Sequence, residues 1–501
     1  MIYRIVIGSY LAQAYVTLTG IILMPVYLHI LGASAFGLVG FYLMLQSWVQ
    51  LLDMGISPTF SREMARYRAR VLTAEAALLR LRTLELLLGG LAVVAVCALI
   101  IGRGWIARDW LQSASIGAAS VSRILAMMAV AVGLRWVASM YRAGLVGLER
   151  QALVNLLAVV FATLRFVGVL IWFHFMRHWP IVFFTHQVGV GLLEVLTYRI
   201  LIQRGLPVQS RVPRFSIALF RELAPLASAM ALLGAIWILV TQFDKLVLSR
   251  LLPLAEYGYY SIAVMAAGGL LMLMLPLNQV LQPRMTILAM QHNEQKLSHL
   301  YRLTTQLLAA TFASVGASMA LLPVQLLYAW SGSHALAASA SPILRMYAPA
   351  YSCAALLSLP FLLQFAHGKL RLHVWGNVLL LAFLLPALVL SAEKWGAVGT
   401  GVTLWIAYAA FLLLWVPMIH HRLLPGHAFR WLLLDVAPPA GVAVAATFLI
   451  SRMVPVDAGR IGSAFCVVAA AGVGSLGGLL TGNLSRIALF ELAGSRAWKT
   501  L

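Results

Sequence analysis

The sequence predicts an all-α polytopic membrane protein with about 14 transmembrane helices. Of its 501 residues, 62% are hydrophobic and only 10% are charged, a composition typical of membrane proteins. Apolar stretches long enough to cross a bilayer, roughly 20 residues each, recur along the whole chain. The connections between them are short, which leaves no room for a folded soluble domain.

The individual spans are the apolar stretches taken in chain order, each bounded by polar or charged residues. They cover residues 7–31, 36–61, 84–101, 121–147, 152–174, 181–202, 222–250, 257–281, 304–328, 342–366, 374–391, 396–419, 432–451 and 461–483. The first is too long for the apolar part of a signal peptide, so we expect the N-terminus to be retained.

Lysine and arginine predict the orientation of these spans. With the N-terminus in the cytosol, 22 of the 36 basic residues fall in cytoplasmic connections, 7 fall outside and 7 fall within spans. This bias places both termini in the cytosol. The net charge of +21 is spread over successive loops, which favours anionic membrane lipids as partners and argues against nucleic acid.

An internal repeat is indicated by shifting the chain against itself by 221 or 222 residues. The matched positions are Arg62 with Arg284, Arg123 with Arg345, Asn155 with Asn377, and Phe36-Gly37 with Tyr257-Gly258. Six spans separate them, so the halves would be parallel repeats related by a pseudo-two-fold axis along the membrane normal, as in transporters. The predicted domains are an N-terminal six-helix lobe (1–202), a cytoplasmic linker (203–221), a C-terminal six-helix lobe (222–419) and two additional helices (432–483).

Seven cations lie inside the spans, where a charge costs about 2.5–3.5 kcal/mol at the bilayer centre. They are Arg123, Arg135, Arg142, Arg165, Arg199, Lys245 and Arg345. Arg123, Arg199 and Arg345 lie near span ends and could extend to the interface. Arg135 and Arg142 share one helix face, which Glu149 would extend. These cations either form structural ion pairs or line a water-filled cavity, and their excess over acids favours the cavity.

Three acids within spans are the candidate counterparts of these cations, namely Asp53, Glu194 and Asp244. Asp53 belongs to the stretch LLDMGISPTFSRE (51–63), in which Gly55 and Pro58 are expected to interrupt the second helix. The alternative is an ordinary helix end with an interfacial Arg62. Asp244 precedes Lys245, and adjacent helical side chains point about 100° apart. We therefore expect that they do not form one exposed surface pair and that they serve the transport cycle.

Cysteine and the loop residues predict neither a cofactor nor an enzyme. Cys97, Cys353 and Cys466 each lie within a span and lack metal-ligand spacing, which is typical of small packing residues. The sequence shows no nucleophile triad and no phosphate-binding glycine loop. Acids in the predicted external loops occur singly, which disfavours a polysaccharide polymerase or glycosyltransferase.

Three stretches carry a family resemblance. MPVYLHILGASAFGL (24–38) and LLDMGISPTFSRE resemble the Wzx-type oligosaccharide repeat-unit (O-antigen) flippases of the multidrug/oligosaccharidyl-lipid/polysaccharide exporter superfamily. FDKLVLSRLLPLAEYGYYSIA (243–263) is similar to that family's seventh and eighth helices. The resemblance implies a bacterial inner-membrane protein that moves a polyprenyl-pyrophosphate-linked oligosaccharide to the periplasmic leaflet by alternating access. It also implies a polysaccharide polymerase and a chain-length regulator as candidate partners.

For such a substrate, the basic residues become candidate pyrophosphate ligands, since guanidinium groups bind phosphate through paired hydrogen bonds. The candidates are Arg62, Arg284, Arg135, Arg142, Arg165, Lys245 and Arg345. Arg62 and Arg284 would face one another across the cytoplasmic entrance. Asp53, Glu194 and Asp244 are the candidates for coupling to H⁺ or Na⁺. A cation-coupled drug antiporter of the same fold is the rival function, although its cavity should be acidic.

Overall fold

The computed structural model describes residues 2–53, 55–112, 116–176, 179–206, 216–426, 428–455 and 459–494. Regular structure in these ranges is helical, apart from an isolated bridge between Gln112 and Pro253. The helices are α1 (Ile2–Leu31), α2 (Ala33–Leu52), α3 (Ile56–Arg68), α4 (Ala74–Trp105), α5 (Ala118–Gly147), α6 (Gln151–Ala162), α7 (Gly168–Phe175), α8 (Trp179–Arg204), α9 (Ile217–Leu251), α10 (Leu254–Met290), α11 (Glu294–Leu321), α12 (Pro323–Ser331), α13 (His334–Ala366), α14 (Arg371–Ala410), α15 (Val416–Leu423), α16 (Ala428–Arg430), α17 (Ala437–Ser451), α18 (Arg460–Thr481) and α19 (Asn483–Gly494). Wider π-helical turns cover Ile106–Trp110, Thr163–Val167, Phe411–Trp415 and Trp431–Val436.

The predicted fold class is confirmed, because eleven helices in the described ranges are long and apolar enough to cross a membrane. One of them, Arg371–Leu423, has 53 residues and would be about 80 Å long, far more than the roughly 30 Å of hydrocarbon. Gly396 breaks it with a non-helical backbone (φ 57°, ψ −143°), so two helices meet there. A total of about 14 crossings stays a prediction.

Contacts divide the chain into two compact units, Met1–Gly258 and Tyr259–Leu501. Helix α9 packs on α2, α3 and α4 and so belongs to the N-terminal unit. The predicted lobe boundaries stay a prediction. Residues 207–215 of the predicted linker and the basic segment 495–501 lie outside the described residues.

The predicted interruption within the second span, 36–61, is confirmed. Helix α2 ends at Leu52 and α3 begins at Ile56, with Gly55 between them at a positive φ of 69°. Glycine adopts this backbone readily because it has no Cβ. Pro58 lies in the first turn of α3, where a backbone N–H would have no partner within the helix.

Two glycines bring α2 and the start of α10 into backbone contact. A Cβ on Gly37 would overlap the carbonyl oxygen of Leu254, and a Cβ on Gly258 would overlap that of Ala33. Leu254 lies four residues before Gly258, and Ala33 lies four residues before Gly37. Each glycine therefore contacts the carbonyl one helical turn before the other glycine, and the contact is reciprocal. Gly37 and Gly258 are also the positions that the predicted internal repeat matches, and the repeat itself stays a prediction.

Within the C-terminal unit, α17 and α18 pack closely on α11. A Cβ on Gly474 would overlap the hydroxyl groups of Ser314 and Thr447. These two hydroxyls lie 3.1 Å apart, and Ser314 Oγ donates to the carbonyl of Ala471 at 2.8 Å. Small and hydroxyl-bearing residues allow membrane helices to approach in this way.

Candidate functional site

The π-helical turn Thr163–Val167 places Arg165 inside the N-terminal unit. Three successive carbonyls of this turn, at residues 164–166, lie at hydrogen-bonding positions to side chains of other helices. Those side chains are His186 (2.8 Å) and Gln187 (3.4 Å) on α8, and Tyr27 on α1. The backbone beneath Arg165 is therefore held from two directions. Such local π turns are frequent at functional sites.

Arg165 is ion-paired with Glu194 of α8. The Arg165 side chain is 9% exposed and that of Glu194 is 14% exposed, and Arg165 Nη2 lies 2.5 Å from Glu194 Oε2. Arg165 Nε is buried and has no hydrogen-bond acceptor in the part of the chain that the structure describes. Of the two arrangements that the sequence left open, Arg165 therefore adopts the ion pair, with one donor still unpaired.

Arg135 of α5 lies near this ion pair but is bonded to a neutral partner. Its Nη1 donates to Gln46 Oε1 of α2. Arg135 and Tyr42 both lie close enough to Arg165 to act electrostatically on it. Tyr42 and Gln46 are one helical turn apart, and Tyr42 Oη and Gln46 Nε2 are buried without a partner among the described residues.

We call Tyr42, Gln46, Arg135, Arg165 and Glu194 the arginine cluster. It combines two guanidinium groups with one carboxylate. Arg142, two turns from Arg135, is exposed, and it acts electrostatically on Tyr198 together with Glu194 and Arg165. The structure thus gathers three predicted phosphate ligands, Arg135, Arg142 and Arg165, with the predicted coupling residue Glu194.

Glu149 does not extend the Arg135–Arg142 face, so that expectation is wrong. Helix α5 ends at Gly147, and Glu149 has a positive φ of 60°. Its N–H donates to the carbonyl of Val146 at 2.9 Å, closing a turn at the helix end. Its carboxylate instead lies 3.3 Å from the exposed Arg68.

The carboxylate of Asp53 holds the break between α2 and α3. It accepts hydrogen bonds from the N–H of Ser57 (3.1 Å) and from Ser57 Oγ (2.7 Å). Trp136 Nε1, on α5 beside Arg135, donates to it at 3.4 Å. Asp53 therefore has a structural task, and its part in coupling stays a prediction.

Asp244 and Lys245 lie closer than expected from their 100° separation. Lys245 Nζ is 3.7 Å from Asp244 Oδ1 and 2.6 Å from the carbonyl oxygen of Thr241. The flexible four-carbon stem of lysine lets the ammonium fold back along α9. Asp244 is 2% exposed, so the two charges do not form an exposed surface pair, and their part in transport stays a prediction.

The remaining predicted ligands lie apart from the arginine cluster along the chain. Arg62 is exposed on α3 of the N-terminal unit, and Arg284 is exposed on α10 in the C-terminal unit. Their meeting at one entrance stays a prediction. Arg345, also in the C-terminal unit, is exposed, and its Nε donates to the carbonyl of Ala320 at 3.3 Å, near the end of α11.

Sequence reasoning missed two ion-paired carboxylates of the N-terminal unit, one buried and one partly buried. Glu63, 1% exposed, lies 2.5 Å from Arg80 and 3.1 Å from Arg66. Arg80 also approaches Glu222 of α9 at 3.6 Å. In the sequence these arginines contribute to the excess of positive charge that predicts the cytoplasmic side. The three-residue spacing of Glu63 and Arg66 is also a signal of ion pairing along a helix.

Glu85 is the second of these carboxylates. It lies 2.8 Å from Arg82 and 2.9 Å from Arg199, and it accepts a hydrogen bond from the Tyr141 hydroxyl at 2.5 Å. Arg199 is therefore an ion-pair partner and not simply an interfacial side chain. The contact joins α4, α5 and α8.

Sequence reasoning also missed a polar cluster in the C-terminal unit. Arg302 binds Asp435 through two hydrogen bonds, Nε to Oδ2 at 2.9 Å and Nη2 to Oδ1 at 3.2 Å. Gln306 Nε2 donates to Asp435 Oδ1 at 2.6 Å, while Gln306 Oε1 accepts from the N–H groups of Leu484 and Ser485. We call Arg302, Gln306 and Asp435 the C-terminal polar cluster.

Across the described ranges, no group of three or more histidine, cysteine or acidic residues is placed to hold a metal ion. The cysteines there are unpaired with one another. The arginine cluster differs from the other polar contacts described here in its surplus of positive charge and in its unpaired hydrogen-bond donors.

Comparison with known proteins identifies the family. Residues 4–288 match the polysaccharide biosynthesis protein family. The chain belongs to this family. No curated protein sequence matches it significantly.

Solved structures show the fold. A lipid II flippase, MurJ, in an inward closed conformation is similar with a TM-score of 0.70 at 12% identity, covering 98% of this chain and 100% of the flippase. An inward-facing multidrug resistance MATE family transporter of the MOP superfamily has a TM-score of 0.65 at 14% identity, covering 81% of this chain and 94% of the transporter. Family and fold together confirm the predicted resemblance, and the protein is a multi-pass membrane protein.

Proposed function

We propose that this protein flips a polyprenyl-pyrophosphate-linked oligosaccharide repeat unit from the cytoplasmic to the periplasmic leaflet of the bacterial inner membrane. The observation that carries the proposal is the arginine cluster, which holds more positive than negative charge inside a membrane protein of the polysaccharide biosynthesis family. Such a surplus is costly in a low-dielectric environment unless an anion compensates it.

The donors of the arginine cluster suit a diphosphate. Arg165 Nε, Gln46 Nε2 and Tyr42 Oη lack acceptors among the described residues, and an unpaired buried donor costs about 1–3 kcal/mol. Phosphate oxygens accept several hydrogen bonds at once, and guanidinium groups bind them in a bidentate geometry. The polyprenyl tail can stay in the bilayer while the headgroup is transferred.

The fold supports alternating access as the route, because it is shared with a lipid II flippase and with a multidrug transporter. An inside-negative potential favours outward movement of an anion by about 2.3 kcal/mol per charge per 100 mV. Coupling to H⁺ or Na⁺ through Asp53, Glu194 or Asp244 is the other source of energy that we consider. The two are separated by measuring flipping with the potential, the proton gradient and the Na⁺ gradient imposed one at a time.

Transport in proteoliposomes tests the function directly. The purified protein is reconstituted with a fluorescent undecaprenyl-pyrophosphate-linked oligosaccharide, and the fraction protected from a membrane-impermeant quencher is followed in time. We expect exchange between leaflets that Arg165→Gln slows strongly and Arg103→Gln leaves unchanged, because Arg103 is an exposed arginine near the end of α4. Equal leakage from protein-free vesicles would disprove the proposal.

A cation-coupled drug antiporter is the rival function, since the fold also occurs in multidrug transporters. A site for organic cations should carry an excess of carboxylates, whereas the arginine cluster carries an excess of guanidinium groups. Saturable binding of a cationic dye, unaffected by lipid-linked oligosaccharide, would favour the antiporter.

A further inference from the structure

Glu194 supplies the carboxylate of the arginine cluster, and it occupies a position that a phosphate oxygen of the proposed substrate would need. Its Oε2 lies 2.5 Å from Arg165 Nη2. A carboxylate and a phosphate bind the same edge of a guanidinium group with the same charge-assisted geometry. They cannot both accept from the same N–H of Arg165 at full strength.

The two partners differ in how firmly they are held. The backbone at Arg165 is fixed by contacts of His186, Gln187 and Tyr27 with the carbonyls of its π turn. Glu194 lies within the regular helix α8, is 14% exposed, and reaches Arg165 through a side chain with three rotatable bonds. If a phosphate takes the place of the carboxylate at Arg165, the carboxylate is the group that moves, because the two anions repel one another.

A displaced Glu194 carboxylate would still have a cation nearby. Tyr198, one turn further along α8, lies within electrostatic range of Glu194, Arg142 and Arg165 alike. Arg142 is exposed, and no described carboxylate pairs with it. Arg142 is therefore the second cation toward which we expect a displaced carboxylate to turn.

We propose that Glu194 is an intramolecular competitor of the substrate's phosphate groups at Arg165, and that headgroup binding moves this carboxylate toward Arg142. The inference rests on the proposed function. In the empty protein the carboxylate neutralises Arg165, and in the loaded protein the diphosphate does so. Return of the carboxylate then promotes release of the headgroup, which keeps binding from becoming too tight for turnover.

The first experiment measures binding of two probes, inorganic pyrophosphate and farnesyl diphosphate, to the purified protein in detergent. We expect Glu194→Gln to bind both probes at least about tenfold more tightly than the unmodified protein, which corresponds to about 1.4 kcal/mol. Flipping should nevertheless slow, because release is impaired. Glu222→Gln is the matched control, since it removes an arginine-paired carboxylate of the same unit, and its affinity should be unchanged.

Combined variants separate competition from a general effect of charge. Arg165→Gln should weaken probe binding, and adding Glu194→Gln to it should give no tenfold gain, because the contested ligand is gone. Glu194→Asp retains the charge on a shorter side chain that reaches Arg165 less well, so we expect an intermediate gain. This variant also serves if Glu194→Gln fails to fold.

Infrared difference spectra report the displacement itself. Pyrophosphate should shift a carboxylate stretching band in the unmodified protein, and the shift should vanish in Glu194→Gln but persist in Glu222→Gln. If Arg165→Gln weakens binding but Glu194→Gln does not tighten it, or the band is absent, the competition is disproved while the proposed function stands. If no variant binds either probe, or Arg165→Gln binds them normally, the proposed function itself fails.

Discussion

The arginine cluster and the C-terminal polar cluster use the same kinds of side chain but differ in how completely those side chains are paired. In the C-terminal unit, Asp435 accepts two bonds from Arg302 and one from Gln306, and Gln306 also uses its oxygen. In the N-terminal unit, Arg135 has a neutral partner, and Arg165 Nε has no acceptor among the described residues.

This difference indicates that the C-terminal polar cluster is a structural contact between helices, whereas the arginine cluster is a site that needs a ligand. A fully paired polar cluster can hold helices together without further partners, and the C-terminal polar cluster joins α11 to the π turn before α17 and to the start of α19. A cluster with surplus charge and unpaired donors is stable only if something else completes it. The degree of pairing, more than the presence of arginine, therefore indicates function.

The largest expected effect is a loss of stability when the C-terminal polar cluster, whose side chains are fully paired, is broken. Asp435→Ala should lower the free energy of unfolding by about 3 kcal/mol, the low end for a broken buried ion pair, because Arg302 is 34% exposed. Thermal unfolding in detergent measures the loss. Pyrophosphate binding per folded molecule should stay normal. If the Asp435→Ala variant is as stable as the unmodified protein, the distinction between the two clusters is disproved.

The next largest expected effect is a loss of flipping when the arginine cluster is changed. Arg165→Gln should slow flipping by about 100-fold, since it removes two charge-assisted contacts worth about 1.5–3 kcal/mol each, of which Glu194 already offsets part. The flipping rate in proteoliposomes is the measurement, with protein yield and melting temperature as controls. A variant that flips normally but unfolds early would make Arg165 a structural residue like Arg302.

A smaller effect is expected at Arg62 and Arg284, which are exposed and belong to neither cluster. Replacing each by lysine keeps the charge that orients the helix but removes the bidentate geometry. We expect flipping to fall about tenfold in the double variant, equivalent to one charge-assisted contact. Normal flipping by the double variant, with poor membrane insertion of Arg62→Gln, would make both residues topology determinants.

The smallest effect is expected at Asp244, which pairs with its own neighbour Lys245. Asp244→Asn keeps the size of the side chain and should slow flipping about threefold, the range of one ordinary hydrogen bond. Flipping per inserted molecule is compared with the amount of protein in the membrane. A fall in protein amount alone would assign the pair to folding.

Much of the fold could be predicted because hydrocarbon imposes simple rules on the sequence. Apolar stretches must form helices, since every backbone polar group has to be satisfied within the segment. The break at Gly55 could also be predicted, because a glycine followed by a proline interrupts a helical pattern. The contact of Gly37 with Gly258 could not, since the sequence only pairs these positions in a repeat and does not show that they meet.

The pairing within the candidate site could not be predicted, because it depends on how helices are rotated against one another. The sequence placed Arg165 and Glu194 in different spans but could not show that they meet. It missed Glu63 and Glu85, since nearby arginines were read only as cytoplasmic charge. The end of α5 before Glu149 depends on a backbone turn that no apolar pattern marks.

The reciprocal contact of Gly37 and Gly258 has a consequence for how such a chain can evolve. In most helix pairs, a larger side chain on one helix can be accommodated by a smaller side chain on its neighbour. Here each glycine is pressed against the main chain of the other helix, so no change of side chain in one helix can make room for a larger residue in the other. Both positions are therefore restricted to glycine, whatever side chains the rest of either helix carries.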